Sequence, residues 1–215
     1  MSFFIRDLSS SAILTVNYRL KTGHRGQALQ IEVNRGAESV IYQRTHRRAF
    51  DLFDSPTAEY GSFFSSSRHF AAVLRGLVLL DLGCGNGGLV ADLRRLGLQA
   101  TGMDLYLEEE ALPNRYLKIG DAFRTGLSES SVDVITSSYS VYHYEPLARL
   151  REVLTESVRI LSPRGRILLS PIHDSPRLEY LKTLSRKYGL AFWQAPENKA
   201  IQILKIPFGN PSRVP

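Results

Sequence analysis

The sequence predicts an α/β fold: a sheet of seven strands, mostly parallel, that ends in an antiparallel C-terminal hairpin. Three observations carry that expectation. Beyond Arg75-Gly76, apolar runs alternate with amphipathic stretches in the β-α-β rhythm of a parallel sheet. A glycine-rich stretch, Gly83-Cys-Gly85-Asn-Gly87-Gly88, separates the first such run from the first amphipathic stretch. The last two runs flank a short turn, Ala195-Pro-Glu-Asn198, whereas parallel neighbours need a crossover of about a dozen residues. They must form a hairpin.

Taken in order, residues 77–82 read as a buried first strand and 88–96 as the helix after it. Residues 98–103, 116–119 and 132–137 are the second, third and fourth strands. Residues 145–161 form a long helix, because Leu147, Leu150, Val153, Leu154, Val158 and Leu161 recur at near-helical spacing. Ser162-Pro-Arg-Gly165 ends it, and 166–170 is the fifth strand. A further helix over 175–188 stops at Gly189, a C-cap position. The hairpin strands are 190–194 and 200–206.

The main domain is expected over residues 76–215, with residues 1–75 as a cover or substrate segment. In that segment Leu29-Gln-Ile31-Glu-Val33 alternates, and Val40-Ile-Tyr42 follows the turn-like Asn34-Arg-Gly36. A β-hairpin is preferred there over a helical cover. Asp54-Ser-Pro56-Thr starts a helix, with Tyr60 and Phe63-Phe64 on it or just beyond. Placed before the first sheet strand, such a segment would pack over the strand ends where ligands bind.

Composition narrows the class. The chain has 215 residues, 43% hydrophobic and 22% charged, in the range of a globular domain. Its longest apolar runs, such as 77–80, are far too short to span a bilayer, so no membrane partner is expected. Met1-Ser-Phe-Phe-Ile-Arg-Asp carries no basic n-region, and a signal peptide is not expected. The single cysteine, Cys84, fits a reducing compartment, and the expected location is the cytoplasm. The net charge of +6 invites a nucleic-acid partner. Its distribution weakens that reading: the densest cluster, Arg44-Thr-His-Arg47-Arg48, is short and has no stacking aromatics among its charges.

The chemistry gathers at the glycine turn. A turn of this kind between a buried strand and a helix lets backbone approach a ligand closely. Gly83, Gly85 and Gly88 literally satisfy the dinucleotide fingerprint. Asp81, two residues before the first glycine, argues for a different ligand. A carboxylate there suits a cationic group such as a methionine ammonium and would repel a pyrophosphate.

With those residues in view, Asp81-Leu-Gly83-Cys-Gly85-Asn-Gly87 resembles the D/E-x-G-x-G-x-G motif of class I, Rossmann-like S-adenosylmethionine-dependent methyltransferases. The resemblance runs from about residue 77 to 206. It implies a doubly wound sheet whose terminal hairpin supplies strands six and seven. It also implies roles: Asp104, with Leu105 beside it, falls where the family's acidic residue binds both ribose hydroxyls. Asp121 and Ala122 fall where the family meets the adenine amino group. Asp81, Gly83, Cys84, Gly85, Gly87 and Ser137 complete the implied cofactor site.

The stretch Ser131-Val-Asp133-Val-Ile-Thr-Ser-Ser-Tyr-Ser-Val-Tyr-His143 is similar to the fourth-strand motif of the small-molecule branch. Val158-Arg-Ile-Leu-Ser-Pro-Arg-Gly165 resembles that branch's R-x-L-K-P-G-G stretch, with Arg164 in place of its first glycine. Ser137-Ser-Tyr139-Ser is not the D/N-P-P-Y motif of the branches that methylate exocyclic amino groups of bases or glutamine.

The expected function is therefore methyl transfer to an oxygen or nitrogen of a small molecule. The alternatives are an RNA or protein methyltransferase, or a nicotinamide oxidoreductase. His143 is the acid-base candidate, because its pKa lies near working pH, and Tyr139 sits nearer the transferred methyl. Tyr60, Phe64 and Tyr142 are candidate substrate residues. His24, His46, His69 and His173 show no metal-ligand spacing, and no metal is expected.

Overall fold

The structure is a computed structural model of the chain. It describes residues 2–6, 13–23, 26–35, 38–45, 67–107, 111, 113–138, 140–144, 147–169, 172–195 and 200–205. The chain divides into two compact units, Met1–Leu52 and Phe53–Pro215.

The first unit holds a four-stranded antiparallel sheet in sequence order: β1 (Ser2–Arg6), β2 (Ile13–Gly23), β3 (Gly26–Arg35) and β4 (Glu38–Thr45). The hairpin read from the alternation of residues 29–33 is β3–β4, with Val33 opposite Val40 and Ile31 opposite Tyr42. Strands β1 and β2 were not anticipated. Their register sets Phe3 opposite Val16 and Tyr18 opposite Ile31. The helix expected from Asp54 lies outside the described residues.

The first described element of the second unit is helix α1 (Ser67–Leu74). Leu74 is fully buried in one cluster with Leu79, Val90 and Leu93, so α1 belongs with the large sheet. The boundary between units therefore falls earlier than residue 75.

The large sheet contains β5 (Val78–Leu82), β6 (Gln99–Asp104), β7 (Leu117–Ile119), β8 (Val132–Ser137), β9 (Leu161–Leu169), β10 (Leu190–Gln194) and β11 (Ile201–Lys205). Their order is β10-β11-β9-β8-β5-β6-β7. Strands β5 to β9 pair in parallel, and β11 runs antiparallel between β9 and β10. Seven strands with an antiparallel terminal hairpin were expected, and that is the sheet found.

The pleat explains why the strands read as continuous apolar runs. Leu79, Val134 and Leu168 face one core with Val90 and Leu93 of helix α2 (Gly88–Arg95). Their neighbours Leu80, Ile135 and Ile167 face the other. That second core is completed by Leu150, Val153 and Leu154 of helix α4 (Leu147–Ile160) and Leu181 of helix α5 (Ser175–Lys187). A sheet covered on both faces alternates between two cores, so no polar side is left to break the run. Lys205 on β11 donates to the carbonyls of Val158 (3.0 Å) and Leu161 (2.6 Å), capping the C-terminal end of α4. No described helix is long and apolar enough to cross a membrane.

One strand departs from the expected bounds. Strand β9 begins at Leu161, opposite Val132, and the ladder resumes with Arg166 opposite Val134. The intervening residues bulge against Asp133, whose carboxylate accepts from Ser162 Oγ (2.6 Å) and the Val78 amide (2.9 Å). Arg164, at the glycine position of the resembling motif, has φ +74. Left-handed backbone costs a non-glycine residue about 1–2 kcal/mol, and glycine returns part of that gain as extra unfolded entropy. Arg164→Gly is therefore expected to stabilise by about 0.5–1 kcal/mol, a rise of roughly 2 °C in thermal denaturation. A lowered melting temperature would show that Arg164 contributes more than its backbone strain costs.

Candidate active site

Strands β6 and β7 lie on one side of β5, and β8 and β9 on the other, so the order in which strands are added reverses between β5 and β8. In open α/β sheets the ligand crevice forms outside the carboxyl ends of the strands at such a point. The glycine turn, residues 83–87, starts there. Gly83, Gly85 and Gly87 have φ of +73, +56 and +82, respectively. The turn is tied to the end of β6, because the amides of Gly83 (2.7 Å) and Cys84 (3.2 Å) both donate to Met103 O.

Glycines outside the turn shape it too. A Cβ on Gly102 would lie 2.6 Å from Cys84 Sγ, so the thiol occupies the space that the missing side chain leaves. Cys84 is 2% exposed and its thiol donates to Gly85 O at 3.4 Å, the setting of a packed residue. A Cβ on Gly87 would meet Leu117 at 2.6 Å, which lets α2 start close against β7.

Three carboxylates stand at the ends of successive strands. Asp81 near the end of β5 is 4% exposed and accepts from Thr136 Oγ1 at 2.8 Å. Asp104 ends β6; its Oδ2 accepts the Gly85 amide at 2.7 Å and its Oδ1 the Tyr106 amide at 3.1 Å. Leu105 follows, half-buried. Asp121 lies just after β7, 7% exposed, and accepts the Phe123 amide at 3.1 Å. Ala122 is buried in the core beside it. Gly120 donates to Asp104 O at 2.9 Å, which joins the last two carboxylate-bearing segments. The structure thus brings Asp81, Gly83, Cys84, Gly85, Gly87, Asp104 and Asp121 to one rim of the sheet.

On the β8 side, Ser137 is fully buried, its Oγ 3.4 Å from Ser140 Oγ. Ser140 donates to Leu82 O at 2.8 Å and accepts the amide of Val141, the first residue of helix α3 (Val141–Tyr144). This bond joins the end of β5 to α3. Tyr142 corrects the sequence reading. Its side chain is fully buried and its hydroxyl donates to Ser157 Oγ at 2.8 Å. Burial pushes the hydroxyl's pKa up, only partly offset by Ser157, so the group stays protonated within the core and is not open to a substrate. The Tyr142 carbonyl accepts from Arg177 Nη1 at 3.2 Å.

His143 lies within α3, with its side chain outside the described residues; Tyr139, Tyr60 and Phe64 also lie outside them. The sequence reading missed Thr136 and Ser140. Both are small hydroxyls inside the fourth-strand stretch, and only the three-dimensional register shows what they touch. Among the described residues, no group of three His, Cys, Asp or Glu side chains is placed to hold a metal ion.

The side chains of this rim are acceptors: three carboxylates around a turn of glycines. That set fits a ligand bearing an ammonium, a ribose diol and an adenine amino group, each of which donates. It does not suit a pyrophosphate, whose charge would fall beside Asp81.

Comparison with known proteins agrees. Residues 80–169 match the family described as "Methyltransferase domain". The chain is 30% identical over 129 residues to a ubiquinone biosynthesis O-methyltransferase of Nitrosococcus oceani, covering 55% of this chain and 53% of that protein. It is 32% identical over 120 residues to a malonyl-[acyl-carrier protein] O-methyltransferase of Pectobacterium atrosepticum, covering 53% and 46%. The chain spans about half the length of these curated relatives. Among solved structures, the 1,6-didemethyltoxoflavin-N1-methyltransferase of Burkholderia thailandensis superposes with a TM-score of 0.51 at 16% identity, over 84% of this chain and 96% of that one. At that identity the likeness is one of fold. Over residues 80–169 the chain is thus similar to methyltransferase domains.

Proposed function

We propose that the protein transfers a methyl group from S-adenosylmethionine to an oxygen or nitrogen of a small molecule. The observation that carries this is the row of Asp81, Asp104 and Asp121 at successive strand ends around the glycine turn. Asp81 would take the ammonium of the cofactor, Asp104 the ribose hydroxyls and Asp121 the adenine amino group. Gly83, Gly85 and Gly87 would bring backbone close to it, with Leu105 and Ala122 on the same side. When bound, the sulfonium supplies an activated methyl for in-line displacement.

Binding and orientation then carry most of the catalysis. Holding reactants at near-attack distance supplies roughly 7–11 kcal/mol of barrier reduction, and a general base adds about 10²–10⁴ in rate. We assign the acceptor side to Tyr139, His143, Tyr60 and Phe64. His143 would be the base for a protonated nucleophile and Tyr139 the residue nearer the methyl. Tyr60 and Phe64 favour a compact, apolar acceptor. The small-molecule assignment is supported by the two curated relatives, both named as O-methyltransferases. One cysteine in 215 residues supports a cytoplasmic location.

Thermal denaturation with candidate ligands tests the reading. A ligand that binds only the native state stabilises by about 2.7 kcal/mol at a hundredfold excess over its dissociation constant. S-adenosylhomocysteine is expected to raise the melting temperature by roughly 5–10 °C, and NAD and NADP to leave it unchanged. A shift with NADH and none with S-adenosylhomocysteine would overturn the assignment.

A further inference from the structure

We propose that Thr136 is a positioning residue for the amino-acid end of the cofactor, acting through Asp81; this rests on the cofactor reading above. Asp81 and Thr136 are register partners on β5 and β8, the two strands that flank the switch point. On its other side Asp81 is opposite Gly102, which has no side chain. The hydroxyl that reaches the carboxylate across the sheet is therefore that of Thr136, at 2.8 Å.

The residue type is informative at this position. Thr136 is fully buried, and Val132, Val134 and Ile135 precede it on the same strand. Valine would fill the same volume there, and a buried hydroxyl is unfavourable unless it is hydrogen-bonded. Packing alone would favour valine. The hydroxyl finds its bond on Asp81, and a hydroxyl has a single proton to give.

A β-branched side chain is stiff at χ1, and full burial leaves Thr136 little freedom to turn. The Oγ1 proton is thereby aimed at one carboxylate oxygen, Oδ1 of Asp81. That bond fixes the plane of the carboxylate. A carboxylate fixed in this way holds the ammonium in one place, and through it the sulfonium carbon chain. Asp104 and Asp121, on the other side of β5, are untouched by this bond.

The test separates the two ends of the ligand. Calorimetric titration with S-adenosylhomocysteine reads the whole ligand, and 5′-methylthioadenosine reads the nucleoside without the ammonium. Thr136→Val is expected to weaken S-adenosylhomocysteine about tenfold and leave 5′-methylthioadenosine within about twofold. Thr136→Ser, which keeps the hydroxyl, is expected to restore the wild-type ratio of the two affinities. Should the valine variant fail to fold, Thr136→Ala is read for the same ratio. Equal weakening of both ligands, or of neither, overturns the positioning role while leaving the cofactor assignment in place. Wild-type protein that binds neither ligand overturns the cofactor reading and this inference with it.

Discussion

Gly83→Ala is expected to cost about 3 kcal/mol of stability, a fall of roughly 6–12 °C in melting temperature. Two separate terms add. The residue sits at φ +73, and an L side chain pays about 1–2 kcal/mol there. The new Cβ would also lie 1.7 Å from Ser140 Oγ and 2.6 Å from Ser140 Cβ. Ser140 cannot swing away cheaply, because its Oγ donates to Leu82 O and accepts the Val141 amide. Losing such bonds costs about 1 kcal/mol each. Gly97 supplies the control. It has φ +80 with nothing within 4 Å of an added Cβ, so Gly97→Ala pays only the backbone term. In a Ser140→Gly background, which already lacks those bonds, Gly83→Ala is expected to cost only the backbone term. Equal losses at Gly83 and Gly97 would mean that Ser140 does not press on the turn.

The same contact shows what sequence can and cannot convey. The turn itself is legible, because positive φ demands glycine and three glycines at this spacing admit few alternatives. The central strands are legible because they alternate between two apolar cores, and the terminal hairpin follows from a connection too short for any crossover. In the first unit, Leu14, Val16, Tyr18 and Leu20 alternate with Thr15, Asn17, Arg19 and Lys21, so β2 carried a readable signal that was passed over. Tyr142 was misread for a physical reason. An aromatic after a strand end looks the same in sequence whether it faces a ligand or a core, and here the Ser157 hydroxyl, fifteen positions on, decides the matter. Thr136 was invisible for a related reason: its partner is 55 residues away, and only strand order makes them neighbours. Arg164 shows the reverse case, where a familiar turn keeps its left-handed backbone after losing its glycine. The acceptor is not readable from the motif at all, since methyl transfer needs orientation and no fixed triad.

Asp104→Ala is expected to weaken S-adenosylhomocysteine by roughly a hundredfold to a thousandfold, the largest binding effect of any single side chain in the site. Under the cofactor reading, its carboxylate accepts from two ribose hydroxyls, and a hydrogen bond to a charged group contributes about 1.5–3 kcal/mol. The two are not fully additive, because both depend on one group. The structure adds a second loss. Asp104 Oδ2 also accepts the Gly85 amide at 2.7 Å, so removing it frees the middle of the glycine turn. The fold should survive, since Asp104 is only half-buried and ends its strand. Asp104→Asn is expected to fall between, because it keeps one acceptor oxygen for either the turn or the ribose but not both. The ligand pair used for Thr136 gives the opposite pattern here: 5′-methylthioadenosine keeps its ribose, so it should weaken alongside S-adenosylhomocysteine. Calorimetry that returned wild-type affinity for both ligands in a folded Asp104→Ala protein would remove this residue from the site. Weakening of S-adenosylhomocysteine alone would instead move Asp104 to the amino-acid end of the ligand, against the order of carboxylates along the rim.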